Sequence, residues 1–198
     1  MSTSLASSLR FWSIITFSLA LAACDGAPKF RSTDITGADY GRSLELPDTG
    51  GRVRHLEDFR GKAVVLFFGF THCPDVCPTT LADLATVMKA LGPDAERIQV
   101  LFVTLDPERD APGELAQYVA AFDPRFLALR GDLAATQRVA KDFKIYFEKR
   151  KQGSSYTVDH SAQSYVIDPQ GRLRLLVRHD RLAADLPDDL RSLLKERG

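Results

Sequence analysis

The chain has 198 residues, 44% of them apolar and 26% charged, with 26 basic and 26 acidic side chains. That composition fits one globular domain and excludes a disordered or fibrous chain. With no net charge nothing points to nucleic acid, which usually requires a basic face, and no nucleic-acid partner is expected.

Arg10 is followed by an uncharged apolar run, Phe11 to Ala22. It is short for a membrane span and has the length of a secretory signal core. The run ends in Leu21-Ala22-Ala23-Cys24, which resembles a bacterial lipoprotein cleavage box. Residues 1–23 are therefore expected to be a signal, Cys24 to be acylated, 24–35 to be a tether, and 36–198 to be the domain. Several acyl chains on one residue give stable membrane attachment where one is marginal. Asp25 resembles the enterobacterial signal for retention at the inner membrane. The domain is thus expected to be exported and anchored at the bacterial cytoplasmic membrane.

From Asp34 to Asp58, short extended segments with Asp48-Thr49-Gly50-Gly51 as a turn predict an N-terminal β-hairpin. Leu56 to Phe59 follows as a brief helical turn. Ala63 to Phe70 (AVVLFFGF) is a continuous apolar run, as a strand covered on both faces reads. Thr71 to Pro78 breaks it. Leu81, Leu84, Ala85, Met88 and Leu91 then recur at helical spacing, with Gly92-Pro93 as the stop. Ile98 to Leu105 predicts a second buried strand, and Pro112 to Phe122 a helix with proline in its first turn. Phe126 to Leu129 predicts a short strand. Asp132 is an N-cap for a helix to about Phe143. Glu148 to Ser155 reads as a polar stretch without regular structure. Ser161 to Ile167, the turn Asp168-Pro169-Gln170-Gly171, and Leu173 to Arg178 predict a hairpin. Leu186, Leu190, Leu193 and Leu194 share one face of a closing helix. This order predicts an α/β, thioredoxin-like mixed sheet flanked by helices.

With Cys24 assigned to lipid, only Cys73 and Cys77 remain for chemistry. They stand just past the end of the first central strand, where such sheets place their sites. If both lie on a helix, their Cα atoms are about 6 Å apart. That suits a disulfide, or two sulfurs converging on one ion at about 2.3 Å each. A bridge over so short a loop restrains the unfolded chain little, so chemistry is a better account than stabilisation. Three intervening residues depart from the Cys-x-x-Cys of thioredoxin-type oxidoreductases. No proline stands in Tyr156 to Ser161, where such enzymes carry one, and a histidine is there instead. Peroxiredoxin chemistry lacks its threonine, since Phe70 stands three residues before Cys73.

His160 is the third candidate, because the loop entering the last hairpin lies beside the cysteine turn in this arrangement. Two thiolates and one imidazole suit Cu(I), Cu(II) or Zn(II). Structural zinc wants a fourth ligand, and none is evident. Asp159 reads equally as a partner that orients the ring or as surface charge. His72 is expected to point away from Cys73, and His55 and His179 have no partner in view. Asp106 to Asp110 reads as a solvated loop or as part of the same face. Lys149-Arg150-Lys151 reads as a solvated run.

Three segments together, Phe68 to Leu81 (FGFTHCPDVCPTTL), Thr104 to Asp110 (TLDPERD) and Val158 to Ser161 (VDHS), resemble the Sco/SenC family from about Gly37 to the end of the chain. Phe70 and Ala111 replace a commoner tyrosine and threonine, and neither removes a ligand. The resemblance implies one copper ion held by Cys73, Cys77 and His160. It also implies a role in assembling the dinuclear copper centre of cytochrome c oxidase. The expected partners are the copper-bearing subunit of that oxidase and a periplasmic copper chaperone as donor. The Cys73–Cys77 dithiol leaves two other readings open: a thiol–disulfide reductase for which copper is incidental, and a copper or redox sensor.

Overall fold

A computed structural model describes residues 29–196. The expected signal segment, Cys24 and Asp25 lie outside the described residues. Among the described residues no helix is long and apolar enough to cross a membrane.

The strands are β1 (Thr33–Asp34), β2 (Glu45–Pro47), β3 (Val53–His55), β4 (Ala63–Gly69), β5 (Ile98–Thr104), β6 (Leu127–Leu129), β7 (Phe147–Gln152), β8 (Ser155–His160), β9 (Ser164–Ile167) and β10 (Leu173–Val177). The helices are α1 (Val76–Leu91), α2 (Pro112–Ala120), α3 (Leu133–Asp142) and α4 (Leu182–Lys195). Six strands form one sheet in the order β1-β10-β9-β4-β5-β6. β4, β5 and β6 run parallel, whereas β9 is antiparallel to β4 and β10 to β9. β2 and β3 form the expected N-terminal hairpin, bridged to the β6 edge between Asp48 and Leu129. Pairing there covers an edge that would otherwise expose unpaired backbone groups.

Strand periodicity assigns the faces. Every residue of β4 is buried, and alternate side chains point to opposite sides. Phe67 meets Phe102 of β5, which meets Tyr118 of α2 edge-on. Phe68, on the other side, meets Phe143 at the end of α3, and Phe143 meets Tyr165. α4 packs against α1. The sheet is therefore covered on both faces, as continuous apolar strands require. Asp132 caps α3 by accepting the Ala135 N–H at 2.7 Å, satisfying a donor that the first helical turn leaves free.

Two expectations change. Glu148 to Ser155 is not irregular: β7 and β8 form a two-stranded ribbon apart from the main sheet, paired from Phe147↔His160 to Gln152↔Ser155. Most of β7 is exposed on both faces, so it shows none of the alternation that marks a half-buried strand. The two-residue turn at Gly153, with φ +60°, fixes the register. The segment carrying His160 is thus a strand and not a loop. In the second change, α1 starts at Val76, so Cys73 and Cys77 do not share a helical face. Cys73 sits in the preceding turn, its N–H donating to the Phe70 carbonyl at 3.3 Å.

The N-terminal side of the domain is tied down. Arg31 and Ser32 donate their N–H groups to the buried Asp189 carboxylate of α4 at 2.8 and 2.9 Å. β1 then pairs with β10 through Thr33↔Leu176 and Asp34↔Leu175.

Candidate metal centre

β4 ends at Gly69, and the chain turns through Thr71 to Asp75 before α1 begins. Pro78 falls in the first turn of α1, where a missing N–H leaves no bond unmade. Cys77 is fully buried and Cys73 is half-buried. Both are free thiols. His160, the last residue of β8, completes the group. The two sulfurs and a ring nitrogen of His160 all lie within 4.8 Å of one another. Cys77 Sγ is 3.6 Å from His160 Nε2, and the Cys77 N–H donates to Cys73 Sγ at 3.4 Å.

The imidazole is oriented from behind. Its Nδ1 lies 2.8 Å from the Ser161 carbonyl, which can only accept. Nδ1 therefore carries a proton, and in the neutral ring the Nε2 lone pair faces the sulfurs. Phe70 and Phe67 wall the ring edge-on at 5.9 and 6.4 Å between centroids. Asp159 does not orient the ring; it is exposed and accepts from Arg150 Nε at 3.2 Å.

The two thiols are unequal. Cys73 is held far below the ordinary thiol range, to about 3, chiefly because the Cys77 thiol donates to it, with the His160 ring and then the backbone N–H groups of Asp75 and Cys77 adding. Cys77 is pushed up for the complementary reasons, its bond to Cys73 and its burial. The pair is best described as one thiolate at the surface and one thiol beneath it.

The segment Asp106 to Asp110 is not a solvated loop. Asp106 and Asp110 have no exposure. Asp110 accepts from the Thr71 hydroxyl at 2.6 Å, from the Thr71 N–H and from the Thr104 hydroxyl, which fixes the turn that carries Cys73. Asp106 accepts from the Tyr156 hydroxyl at 2.8 Å and from Arg109. His72 turns toward Thr71, with Nδ1 3.0 Å from its hydroxyl, and stays out of the cluster. His55 and His179 are outside it too. Of the basic run, Lys149 pairs with Glu108 at 2.8 Å and Arg150 with Glu148 and Asp159.

Sequence reasoning offered Asp106 to Asp110 as part of this face but gave no role to Thr71 or Tyr156. A threonine and a tyrosine carry no ligand signal, and only the fold brings them to Asp110 and Asp106.

Two sulfurs and one imidazole nitrogen form a soft donor set with three protein ligands, suited to copper or zinc. Binding would release the Cys77 proton, so affinity rises with pH. The same dithiol can also exchange with a disulfide.

The model of the SCO1/SenC family matches residues 32–195. The chain is 39% identical to the mitochondrial protein SCO2 homolog of Bos taurus over 171 residues, 84% of this chain and 64% of that protein. It is 34% identical to a SCO2-like protein of Rickettsia prowazekii (strain Madrid E), covering 67% of this chain and 66% of that one. The chain thus spans about two thirds or less of these relatives. Among solved structures, apo Sco1 from Thermus thermophilus matches with a TM-score of 0.75 and 39% identity, covering 83% of this chain and 97% of that one. ScoI of Bradyrhizobium japonicum, described with copper bound, matches with a TM-score of 0.69 and 35% identity, covering 75% and 96%. The match over nearly all the described residues, on a thioredoxin-like sheet with the cysteines at the end of its central strand, makes this chain a member of the SCO1/SenC family.

Proposed function

We propose that this protein binds one copper ion through Cys73, Cys77 and His160 and delivers it to the dinuclear copper centre of cytochrome c oxidase during assembly. The observation that carries the reading is the convergence of the three donor atoms within 4.8 Å, in a family with members of 35% and 30% identity described with copper bound. Copper is the cargo, and a three-ligand site leaves a position at which an acceptor's thiolate can enter by ligand exchange. Titrating the full chain with Cu(I) against a competing chelator tests this. One equivalent bound by the wild type is expected, with affinity lost in Cys77→Ser and weakened in His160→Ala. Binding that ignores both substitutions overturns the assignment. For delivery, oxidase activity in a deletion strain is expected to recover when copper is added to the medium.

The inequality of the thiols favours a second reading, reduction of a partner disulfide. The Cys73 thiolate attacks one partner sulfur and releases the other as a thiolate. Cys77 then attacks Cys73, freeing the reduced partner and leaving a Cys73–Cys77 disulfide for an external thiol reductant to reset. Failure of added copper to restore the oxidase favours this reading over delivery.

The anchor belongs to the same proposal. Removal of residues 1–23 and acylation of Cys24 would hold the domain at the outer side of the bacterial cytoplasmic membrane, beside a membrane-embedded oxidase.

A further inference from the structure

His160 stands at the end of a ribbon that is not part of the main sheet, so something must fix its distance from the cysteines. Side chains two apart on a strand point the same way. Tyr156, Val158 and His160 therefore form the inward face of β8, and Thr157 and Asp159 the outward one. Val158 is buried, and Asp159 is exposed. At the far end of the inward face, Tyr156 is gripped three times. Its hydroxyl donates to Asp106 at 2.8 Å. Its carbonyl accepts from Arg109 Nη1 at 2.9 Å. Its ring lies 3.8 Å under the Arg109 guanidinium, which is itself paired with Asp106. The grip comes from the segment whose last residue, Asp110, holds Thr71 and the cysteine turn.

We propose that Asp106, Arg109 and Tyr156 are positioning residues that set the approach of the His160 imidazole to the two sulfurs, and that Asp106 to Asp110 acts as one strut between the halves of the metal centre. The proposal rests on the copper reading for its consequence and on β8 register for its geometry. The five-residue stretch of strand from Tyr156 to His160 transmits displacement at the clamp to the ring. Charged and aromatic partners suit this task, because a desolvated guanidinium stacked on a ring and paired with a carboxylate has one favourable arrangement.

The test uses the full chain with Tyr156→Phe, which keeps the ring and removes only the bond to Asp106. Cu(I) affinity by chelator competition is expected to fall about tenfold, the lower range for residues that orient a ligand. In a His160→Ala background the same substitution is expected to change nothing further. Equal losses in both backgrounds, or no loss in either, overturn the proposal. Asp180→Asn breaks only the exposed pair with Arg178, away from the clamp, and is expected to leave affinity unchanged. Amide hydrogen exchange on the metal-free protein decides the clamp even if copper does not bind. Tyr156→Phe is expected to speed exchange in β8 and at Ser161 while leaving β4 and α1 unchanged. Unaltered exchange in β8 overturns the proposal, whereas a wild type that binds no copper overturns only the copper reading.

Discussion

The backbone of Gly69 passes so close beneath Cys77 that a Cβ at position 69 would meet Cys77 Sγ at 2.8 Å and the Phe102 ring at 3.0 Å. Both neighbours are buried, and neither is the free end of a flexible side chain. Gly69→Ala should therefore displace the sulfur or the strand. Destabilisation of about 1–3 kcal/mol is expected, with weaker Cu(I) binding in the protein that remains folded. Urea unfolding and chelator competition measure the two effects, and an unchanged copper affinity would show that Cys77 does not depend on this contact.

Thiol reactivity should separate the two cysteines by pH. Because the pKa of Cys73 is lowered to about 3, its thiolate is already formed at pH 5. Its rate of alkylation is then expected to stay nearly flat from pH 5 to 8, whereas an ordinary thiol speeds up about tenfold per pH unit below its pKa near 8.5. Cys77, raised and buried, should stay unmodified in the folded protein over that range. Mass spectrometry of protein treated with iodoacetamide reads both, and a Cys73 rate that climbs tenfold per unit would contradict the assignment.

Asp110 is expected to matter for stability as well as geometry. Asp110→Ala leaves the Thr71 and Thr104 hydroxyls without their acceptor in a buried place. An unfolding penalty of about 1–3 kcal/mol is expected for each such loss that water cannot repair. Asp110→Asn retains an accepting oxygen and should recover part of it. Equal denaturation midpoints for wild type and Asp110→Ala would refute the role.

A core substitution away from the centre should do the reverse. Leu190 of α4 is fully buried, and Leu190→Ala is expected to cost about 2–5 kcal/mol. Copper stoichiometry should stay at one per folded domain. A lost equivalent in folded protein would mean the site is softer than its packing implies.

Attachment is tested by growing cells with a radioactive fatty acid. The wild type should take up label, and Cys24→Ser should not. Unlabelled wild type, or label that survives the substitution, excludes acylation at Cys24.

Much of the fold can be read from the sequence because its central strands are apolar throughout and its helices carry spaced leucines. Ala63 to Phe70 and Ile98 to Leu105 appear as β4 and β5 nearly residue for residue. The β7–β8 ribbon escapes because its order comes from a glycine turn and cross-strand pairing, and its outward residues are charged. The same limit applies at the centre. The spacing and placement of Cys73 and Cys77 are visible in the chain, and His160 needs only the fold. Asp-Pro-Glu-Arg-Asp reads equally as a solvated loop or as part of the site, and the burial of Asp106 and Asp110 by partners distant in sequence decides for the second. A buried carboxylate is recognisable only once its donors are known.

The entry of the chain into the sheet bears on how this domain meets its surroundings. β1 pairs with β10 in the row that runs Thr33, Leu176, Tyr165, Leu66. It is antiparallel to β4, because three antiparallel pairings separate the two strands. Residues 29–32 therefore lie toward the end of the sheet where β4 finishes and the cysteine turn begins, and Asp189 pins Arg31 and Ser32 there. The proposed lipid at Cys24 would pull on the ligand-bearing end and leave the opposite end free. A domain suspended in this way would offer its sulfurs toward whatever it hangs from.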